Sequence, residues 1–317
     1  MQFIIRKKEN IEDQYHTAAI IGAGPAGITA SIYLGRAKID TVVFERMIPG
    51  GYIVATDKIE NYPGFPDGIS GEELGNLMEK HLKRFDAQVK TEEVTNVELD
   101  TYPMKIITEE GSYSAEAIII ATGTKNKRLG VPGEDELVGK GISFCAICDA
   151  PFFEGENIVV IGAGNSGVQE ALYLSKFAKS IKVLEFLDHP TAEGILLDRL
   201  KEKDNLELLV SQRVTSFIGK DRLTGVEVEE KTSKKKKVLK VRGAFIYAGL
   251  SPNTDFLKGK LDLNKEGFIK TDEELRTSKE GVFAAGDVRT TSLHQVATAI
   301  GDGALAAHNL REYIEEK

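Results

Sequence analysis

Two cysteines stand in a chain of 317 residues, in the stretch Phe144-Cys145-Ala146-Ile147-Cys148-Asp149-Ala150-Pro151. Two intervening residues bring the sulfurs close enough to close a small disulfide ring. Such a pair passes two electrons by opening and closing that ring. A zinc site would need about four ligands, usually from two such pairs or from a pair plus histidines. No second pair exists, and none of the five histidines lies within forty residues after Cys148. A structural staple fits poorly with a chain of this length that shows no sign of secretion. The pair therefore reads as a redox dithiol, and two buried, inert thiols remain the alternative.

Chemistry of this kind needs something to bring electrons, and two glycine motifs answer that need. Thr17-Ala18-Ala19-Ile20-Ile21 is a short β-type apolar run, followed at once by Gly22-Ala23-Gly24-Pro25-Ala26-Gly27. A helical stretch through Ile28, Ala30, Ile32, Leu34 and Ala37 leads to a second strand, Thr41-Val42-Val43-Phe44-Glu45. In such a βαβ unit the glycines let the backbone turn tightly and approach a pyrophosphate seated on the N–H groups that open the helix. Glu45 ends the second strand, where a carboxylate accepts hydrogen bonds from a ribose diol. The same unit returns 140 residues later: Asn157-Ile158-Val159-Val160-Ile161, then Gly162-Ala163-Gly164-Asn165-Ser166-Gly167, a helix with Val168, Ala171, Leu172 and Leu174, and Ile181-Lys182-Val183-Leu184-Glu185. The offset holds from Gly22 to Gly162 and from Glu45 to Glu185. One such domain suggests a dehydrogenase; two suggest a flavin in one and an electron donor's nucleotide in the other.

The remainder of each half corresponds as well. Strands at Val94 to Leu99 and Met104 to Thr108 precede Ala117-Ile118-Ile119-Ile120-Ala121-Thr122-Gly123. Strands around Glu207–Val210, Gly225–Glu229 and Val238–Val241 precede Ala244-Phe245-Ile246-Tyr247-Ala248-Gly249. Gly281-Val282-Phe283-Ala284-Ala285-Gly286-Asp287 is a further apolar strand, and a helix is expected from Gln295 to Tyr313. The expected fold is α/β, two Rossmann-like three-layer nucleotide-binding domains with the second inserted into the first. Residues 1–120 plus 248–317 form the discontinuous first domain; residues 121–247 form the inserted one, which carries the dithiol. Residues 1–16 read as an extension with one short strand at Phe3-Ile4-Ile5.

Composition fits this reading. Hydrophobic residues at 41% and charged residues at 28% are ordinary for a globular protein. A net charge of −8 supplies no basic field for nucleic acid. No run approaches the roughly 18 apolar residues of a membrane span, and Met1 to His16 lacks an apolar stretch of signal-peptide length. A cytoplasmic setting is expected.

At this point the chain resembles the low-molecular-weight thioredoxin reductases of the flavoprotein disulfide reductases. The resemblance is carried by the two glycine motifs, Ile59-Glu60-Asn61-Tyr62-Pro63-Gly64, Ala121-Thr122-Gly123, Cys145-Ala146-Ile147-Cys148-Asp149, and Gly286-Asp287 with Gln295. It implies FAD on the first domain, with Gly22, Gly24, Pro25, Ala26 and Gly27 at the pyrophosphate. Glu45 would hold the adenosine ribose and Asp287 the ribityl chain. Asn61, Thr122 and Gln295 would lie close by, with Arg46, Gly51, Ala121, Gly123, Gly286, His294 and Val296 alongside. Gly162, Gly164, Asn165, Ser166, Gly167 and Glu185 would hold a donor nucleotide. The resemblance further implies that Cys148 is the sulfur nearer the flavin, that Cys145 attacks a thioredoxin-like disulfide, and that Asp149 is the general acid/base; a helix-capping aspartate is the alternative for Asp149. Phe152-Phe153 reads either as a docking patch or as two core phenylalanines. Junctions near Gly123 and Gly249 would act as hinges, and a homodimer is expected.

The chain departs from the family pattern at one telling place. Members that use NADPH carry a His-Arg-Arg cluster after the second strand of the inserted domain, which grips the 2′-phosphate. Here that stretch is Glu185-Phe186-Leu187-Asp188-His189-Pro190-Thr191-Ala192-Glu193. A carboxylate repels a phosphate and suits an unphosphorylated ribose, so NADPH is expected to be a poor donor. NADH and a non-nicotinamide donor such as reduced ferredoxin stand level. Gly50-Gly51-Tyr52 replaces Gly-Gly-Gln and His294-Gln295 replaces Arg-Gln, changes that FAD binding should survive. Lys234-Lys235-Lys236-Lys237 reads as a solvated hairpin turn, or as a contact for an acidic protein donor. Competing readings are a flavin oxidase or peroxiredoxin-coupled reductase using the same dithiol, and a flavin redox sensor that turns nothing over.

Overall fold

The computed structural model describes residues 14–85, 87–291 and 293–317; the strand expected at Phe3-Ile4-Ile5 lies outside them. The chain opens with β1 (Gln14–Ile21), α1 (Pro25–Arg36) and β2 (Thr41–Glu45). Then come α2 (Gly71–Lys83), β3 (Gln88–Thr91), β4 (Val94–Glu98), β5 (Met104–Thr108) and β6 (Ser112–Ile120). After β7 (Thr124–Asn126) follow α3 (Glu134–Leu137), β8 (Ile142–Ser143), α4 (Ala146–Asp149) and β9 (Asn157–Ile161). Next are α5 (Asn165–Leu174), β10 (Ser180–Leu184), α6 (Gly194–Lys201) and β11 (Leu206–Leu209). The strands β12 (Gln212–Gly219), β13 (Leu223–Glu230), β14 (Lys236–Leu239) and β15 (Gly243–Ile246) follow. The chain closes with β16 (Leu250–Pro252), β17 (Val282–Ala284) and α7 (Val296–Glu315).

These elements gather into two compact units, one of Met1–Val54, Lys58–Thr124 and Pro252–Lys317, the other of Ala55–Asp57 and Lys125–Ser251. The first is built on a sheet in the order β3-β2-β1-β6-β5-β4, with β17 also on β6. β6 is long enough to serve two neighbours along one edge: Ser112 to Ala115 pair antiparallel with β5, and Ile118 to Ile120 pair parallel with β17. The second unit has a parallel sheet in the order β11-β10-β9-β15-β8 and a separate antiparallel sheet β12-β13-β14.

Alternation along the strands fills two layers in each unit, because successive side chains leave a strand on opposite faces. Ala18, Ile20 and Ile119 pack with Ile28 and Leu34 of α1 and Ala306 and Leu310 of α7. Ala19, Ile21, Ile118 and Ile120 face the other way, against Val97, Ile106, Leu257 and Ile269. The second unit repeats the scheme. Ile158, Val160 and Phe245 meet Val168, Leu174, Leu196 and Leu200, while Val159, Ile161 and Ile246 meet Val214, Phe217, Val226 and Val228. Strands buried on both faces read as continuous apolar runs, which is why both βαβ units were legible from their residues. The fold is α/β with two Rossmann-like three-layer domains. Among the described residues no helix is long and apolar enough to cross a membrane.

Candidate active site

Each of the two units holds one glycine turn, and the second also holds the cysteine pair. In the first unit, β1 ends at a glycine turn where close approach is obligatory. A side chain on Gly22 (φ 106°) would begin 2.4 Å from the Ala121 carbonyl oxygen, and one on Gly27 would begin 1.9 Å from the Gly22 oxygen. Gly24 caps α1 without any side-chain hydrogen bond, so the first amides of that helix are left for a ligand. Glu45 Oε2 accepts the Ala23 amide at 2.9 Å and Oε1 accepts the Met47 amide at 3.0 Å, which sets the carboxylate beside the turn. Gly51 comes to the turn as well, since its side chain would begin 2.9 Å from Gly24 Cα.

The other expected residues of this unit gather at the C-terminal ends of β6 and β17. Thr122 Oγ1 donates to the Asn253 carbonyl at 2.9 Å, and Asn253 Nδ2 donates back to the Thr122 carbonyl at 2.8 Å. Asn61 Nδ2 donates to Gln295 Oε1 at 2.9 Å, across 234 residues of sequence. Gly286 (φ 75°) stands where a side chain would meet Ala26 Cβ at 3.0 Å, which places Asp287 next to the glycine turn. Burial pushes the Asp287 carboxyl above its ordinary range, with Asp302 adding to the rise and His294 opposing it. His294 Nε2 is buried with no partner among the described residues. Arg46 is exposed just past β2, and Val296 begins α7. An uncapped helix terminus, glycines pressed to the contact limit, a positioned carboxylate and an orphaned imidazole nitrogen together fit a dinucleotide.

Sequence reasoning missed what steadies this site. Arg289 Nε and Nη2 donate to the two oxygens of Asp302 at 2.6 and 2.8 Å, and Asp302 Oδ2 also accepts the Gly286 amide at 3.0 Å. The available signal was Gly301-Asp302-Gly303, a carboxylate between two glycines inside a helix. Gly303 is needed because a side chain there would begin 2.2 Å from the Ala26 oxygen.

In the second unit Cys145 and Cys148 are joined as a disulfide. The turn is short and firmly held. Ser143 Oγ accepts the Cys145 amide at 3.0 Å and donates to the Cys145 carbonyl at 3.2 Å, and Cys145 Sγ accepts the Cys148 amide at 3.2 Å. Cys148 is exposed and Cys145 half-buried. Asp149 makes no capping hydrogen bond to the following turn, which removes the capping alternative for its side chain. Phe152 and Phe153 part company: Phe152 is 80% exposed, whereas Phe153 packs edge-on against Phe245 at 5.2 Å.

The second glycine turn repeats the first. A side chain on Gly162 would begin 2.2 Å from the Tyr247 oxygen, and one on Gly167 2.1 Å from the Gly162 oxygen. Asn165 and Glu193 exchange hydrogen bonds of 3.0 and 2.8 Å beside Gly164, while Ser166 is exposed. The four-lysine run sits at the β13–β14 hairpin. Lys234 and Lys235 lie in the turn and Lys236 and Lys237 on β14, all exposed, with Lys236 paired to Glu227 at 3.0 Å. No group of metal-ligating side chains occurs among the described residues.

Comparison with known proteins agrees with this geometry. Residues 16–303 match the family described as pyridine nucleotide-disulphide oxidoreductase. The thioredoxin reductase of Listeria innocua is 41% identical over 307 residues, covering 96% of each chain. That of Bacillus subtilis is 40% identical over 317 residues, with the same coverage. The crystal structure of thioredoxin reductase from Lactococcus lactis superposes with a TM-score of 0.93 at 36% identity, over 95% of this chain and 100% of that one.

Proposed function

The chain belongs to the pyridine nucleotide-disulphide oxidoreductases and is an FAD-dependent disulfide reductase of the thioredoxin reductase type; from that premise we propose that it carries two electrons from a donor other than NADPH, through Cys145 and Cys148, to thioredoxin or a thioredoxin-like protein. The observation that carries this reading is the bonded Cys145–Cys148 pair in a turn whose second sulfur is exposed.

The cradle around Gly22, Gly24, Pro25, Ala26 and Gly27 is assigned to the FAD pyrophosphate, Glu45 with Arg46 to the adenosine ribose, and Asp287 to the ribityl chain. Gly51, Asn61, Ala121, Thr122, Gly123, Gly286, His294, Gln295 and Val296 line the rest. Bound there and reduced by the donor, FAD would supply the electron pair needed to open the disulfide. Once the pair is reduced, the Cys148 amide aimed at Cys145 Sγ favours a thiolate on Cys145. That thiolate attacks the partner's disulfide, forming a mixed disulfide and releasing one partner thiol. Cys148 then attacks Cys145, restoring the internal disulfide and releasing the second partner thiol. Asp149, adjacent and free of capping duty, is assigned to hold the proton that one of these thiols gives up or takes back. Phe152 offers an exposed aromatic face beside the dithiol on which the partner can dock.

Gly162, Gly164, Asn165, Ser166 and Gly167 with Glu185 retain the layout of a nucleotide site, which supports NADH. Reduced ferredoxin is the competing donor, with the exposed lysines of the β13–β14 hairpin as its meeting point. A cytoplasmic homodimer is the assembly we assign. Anaerobic bleaching of the flavin band by NADH, NADPH and reduced ferredoxin, each added separately, tests the donor. Bleaching by NADH or ferredoxin followed by thioredoxin reduction supports the reading; efficient bleaching by NADPH overturns it. A protein that binds FAD but reduces no protein disulfide would be a sensor instead.

A further inference from the structure

We propose that Tyr247 is a positioning residue for the dithiol, its phenol oxygen restraining the acidity of the Cys145 thiol; the assignment rests on the reading above in which Cys145 is the attacking sulfur. Tyr247 follows β15 and is 8% exposed. Its main chain is fixed against the second glycine turn. The amide donates to the Ile161 carbonyl at 2.7 Å, and its own carbonyl is the group that a side chain on Gly162 would strike. The residue packs in the core with Ala146, Phe245 and Val168. At the far end the hydroxyl oxygen accepts the Ala146 amide at 3.1 Å. Ala146 is fully buried and is the residue between Cys145 and the rest of the dithiol turn. One tyrosine therefore spans from the glycine turn to the backbone of the dithiol turn.

The position of that oxygen has an electrostatic consequence. An amide directed at sulfur favours thiolate over thiol, as the Cys148 amide does for Cys145. The Ala146 amide belongs to the peptide that directly follows Cys145, and the phenol oxygen compensates its positive end. With the oxygen removed, that dipole acts uncompensated in a buried site where such terms are enlarged. The Cys145 thiolate is then stabilised, and so is the reduced pair, because a more acidic thiol makes a more oxidising disulfide. Tyr247 thus keeps the pair reducing enough to hand its electrons on.

Tyr247→Phe and Tyr247→Leu holoproteins test this without donor or partner protein. The readouts are the pH profile of iodoacetamide alkylation, assigned to each cysteine by mass spectrometry, and the dithiol–disulfide equilibrium in mixtures of reduced and oxidised dithiothreitol. For Tyr247→Phe the Cys145 midpoint is expected to fall by about half a unit, roughly threefold more thiolate below the midpoint, with the redox equilibrium moved toward the dithiol by a similar factor. Tyr247→Leu should match it, because both lack the hydroxyl. An unchanged profile and equilibrium in Tyr247→Phe overturns the proposal, as does a shift confined to Tyr247→Leu, which would assign the effect to ring packing. Alkylation of Cys148 ahead of Cys145 in the unaltered protein would instead refute the choice of attacking sulfur, and the dithiothreitol equilibrium would still decide the role of the hydroxyl. Should Tyr247→Phe not fold, 3-fluorotyrosine at this position keeps the shape and weakens the acceptor. A shift in the same direction supports the proposal, and none overturns it.

Discussion

Glu185 accepts the Ala163 amide at 2.7 Å, as Glu45 accepts the Ala23 amide at 2.9 Å. The second bond of each carboxylate matches too: Leu187 donates to Glu185 at 2.9 Å and Met47 donates to Glu45 at 3.0 Å. The duplication therefore reaches the side-chain hydrogen bonds, and Glu185 stands in the same pose as Glu45. That pose is hostile to a 2′-phosphate, since two negative groups about 4 Å apart repel by several kcal/mol at the dielectric of a protein surface. Lys231, over the Phe186 ring at 3.8 Å, already has an aromatic partner. We expect NADH to exceed NADPH in kcat/KM by at least about tenfold, or neither to reduce the flavin. Steady-state assays with both nucleotides decide it, and a higher specificity constant for NADPH sinks the assignment of Glu185.

Cys145→Ser should retain FAD and lose protein-disulfide reduction by about three orders of magnitude, because the attacking thiolate is gone and Cys148 alone cannot complete the two-thiol exchange. Cys148→Ser should lose turnover equally, yet trap the partner covalently on Cys145. Thioredoxin-coupled turnover and non-reducing electrophoresis read the two outcomes. Wild-type turnover by Cys145→Ser would refute the disulfide-exchange route.

Much of this architecture could be read from residues alone, and the physical reason differs by element. Gly22, Gly27, Gly162 and Gly167 were legible because their requirement is steric and leaves a fixed spacing in the chain. The buried strands were legible because burial on both faces leaves no polar positions. Phe152 and Phe153 could not be told apart, as one position along a short turn decides which faces the core. Tyr247 and Asp302 were invisible for another reason. The partner of Tyr247 lies 101 residues away in sequence, and nothing local marks a tyrosine at a strand end as a hydrogen-bond acceptor. The Arg289–Asp302 pair links two elements that only the folded chain brings together.

The two glycine turns can be broken independently. Gly22→Ala forces a side chain to within 2.4 Å of the Ala121 oxygen at a φ of 106°. Strain and overpacking together should cost about 3 kcal/mol or more and empty the FAD site. Gly162→Ala meets the Tyr247 oxygen at 2.2 Å and should leave FAD absorbance intact while impairing the second unit. Flavin content after purification separates them. Equal flavin loss from both substitutions would contradict the assignment of FAD to the first cradle.

Glu170 on α5 is 8% exposed, and its Oε2 has no hydrogen-bond partner among the described residues. Burial, with a smaller contribution from Asp57, pushes its carboxyl up to about 8. The sign of the consequence follows from proton linkage. Between the unfolded value near 4.5 and the folded value near 8 the native protein holds the extra proton, so stability falls as pH rises through that window. The contribution is intact below the unfolded value and fully lost only above the folded one. Glu170→Gln keeps the shape without the ionisation, so its urea midpoint should change less between pH 6 and pH 9 than that of the unaltered protein. The difference at pH 9 should be on the order of a few kcal/mol in favour of the glutamine. Parallel pH profiles for the two proteins would mean that Glu170 is already ionised at neutral pH, with water reaching the carboxylate.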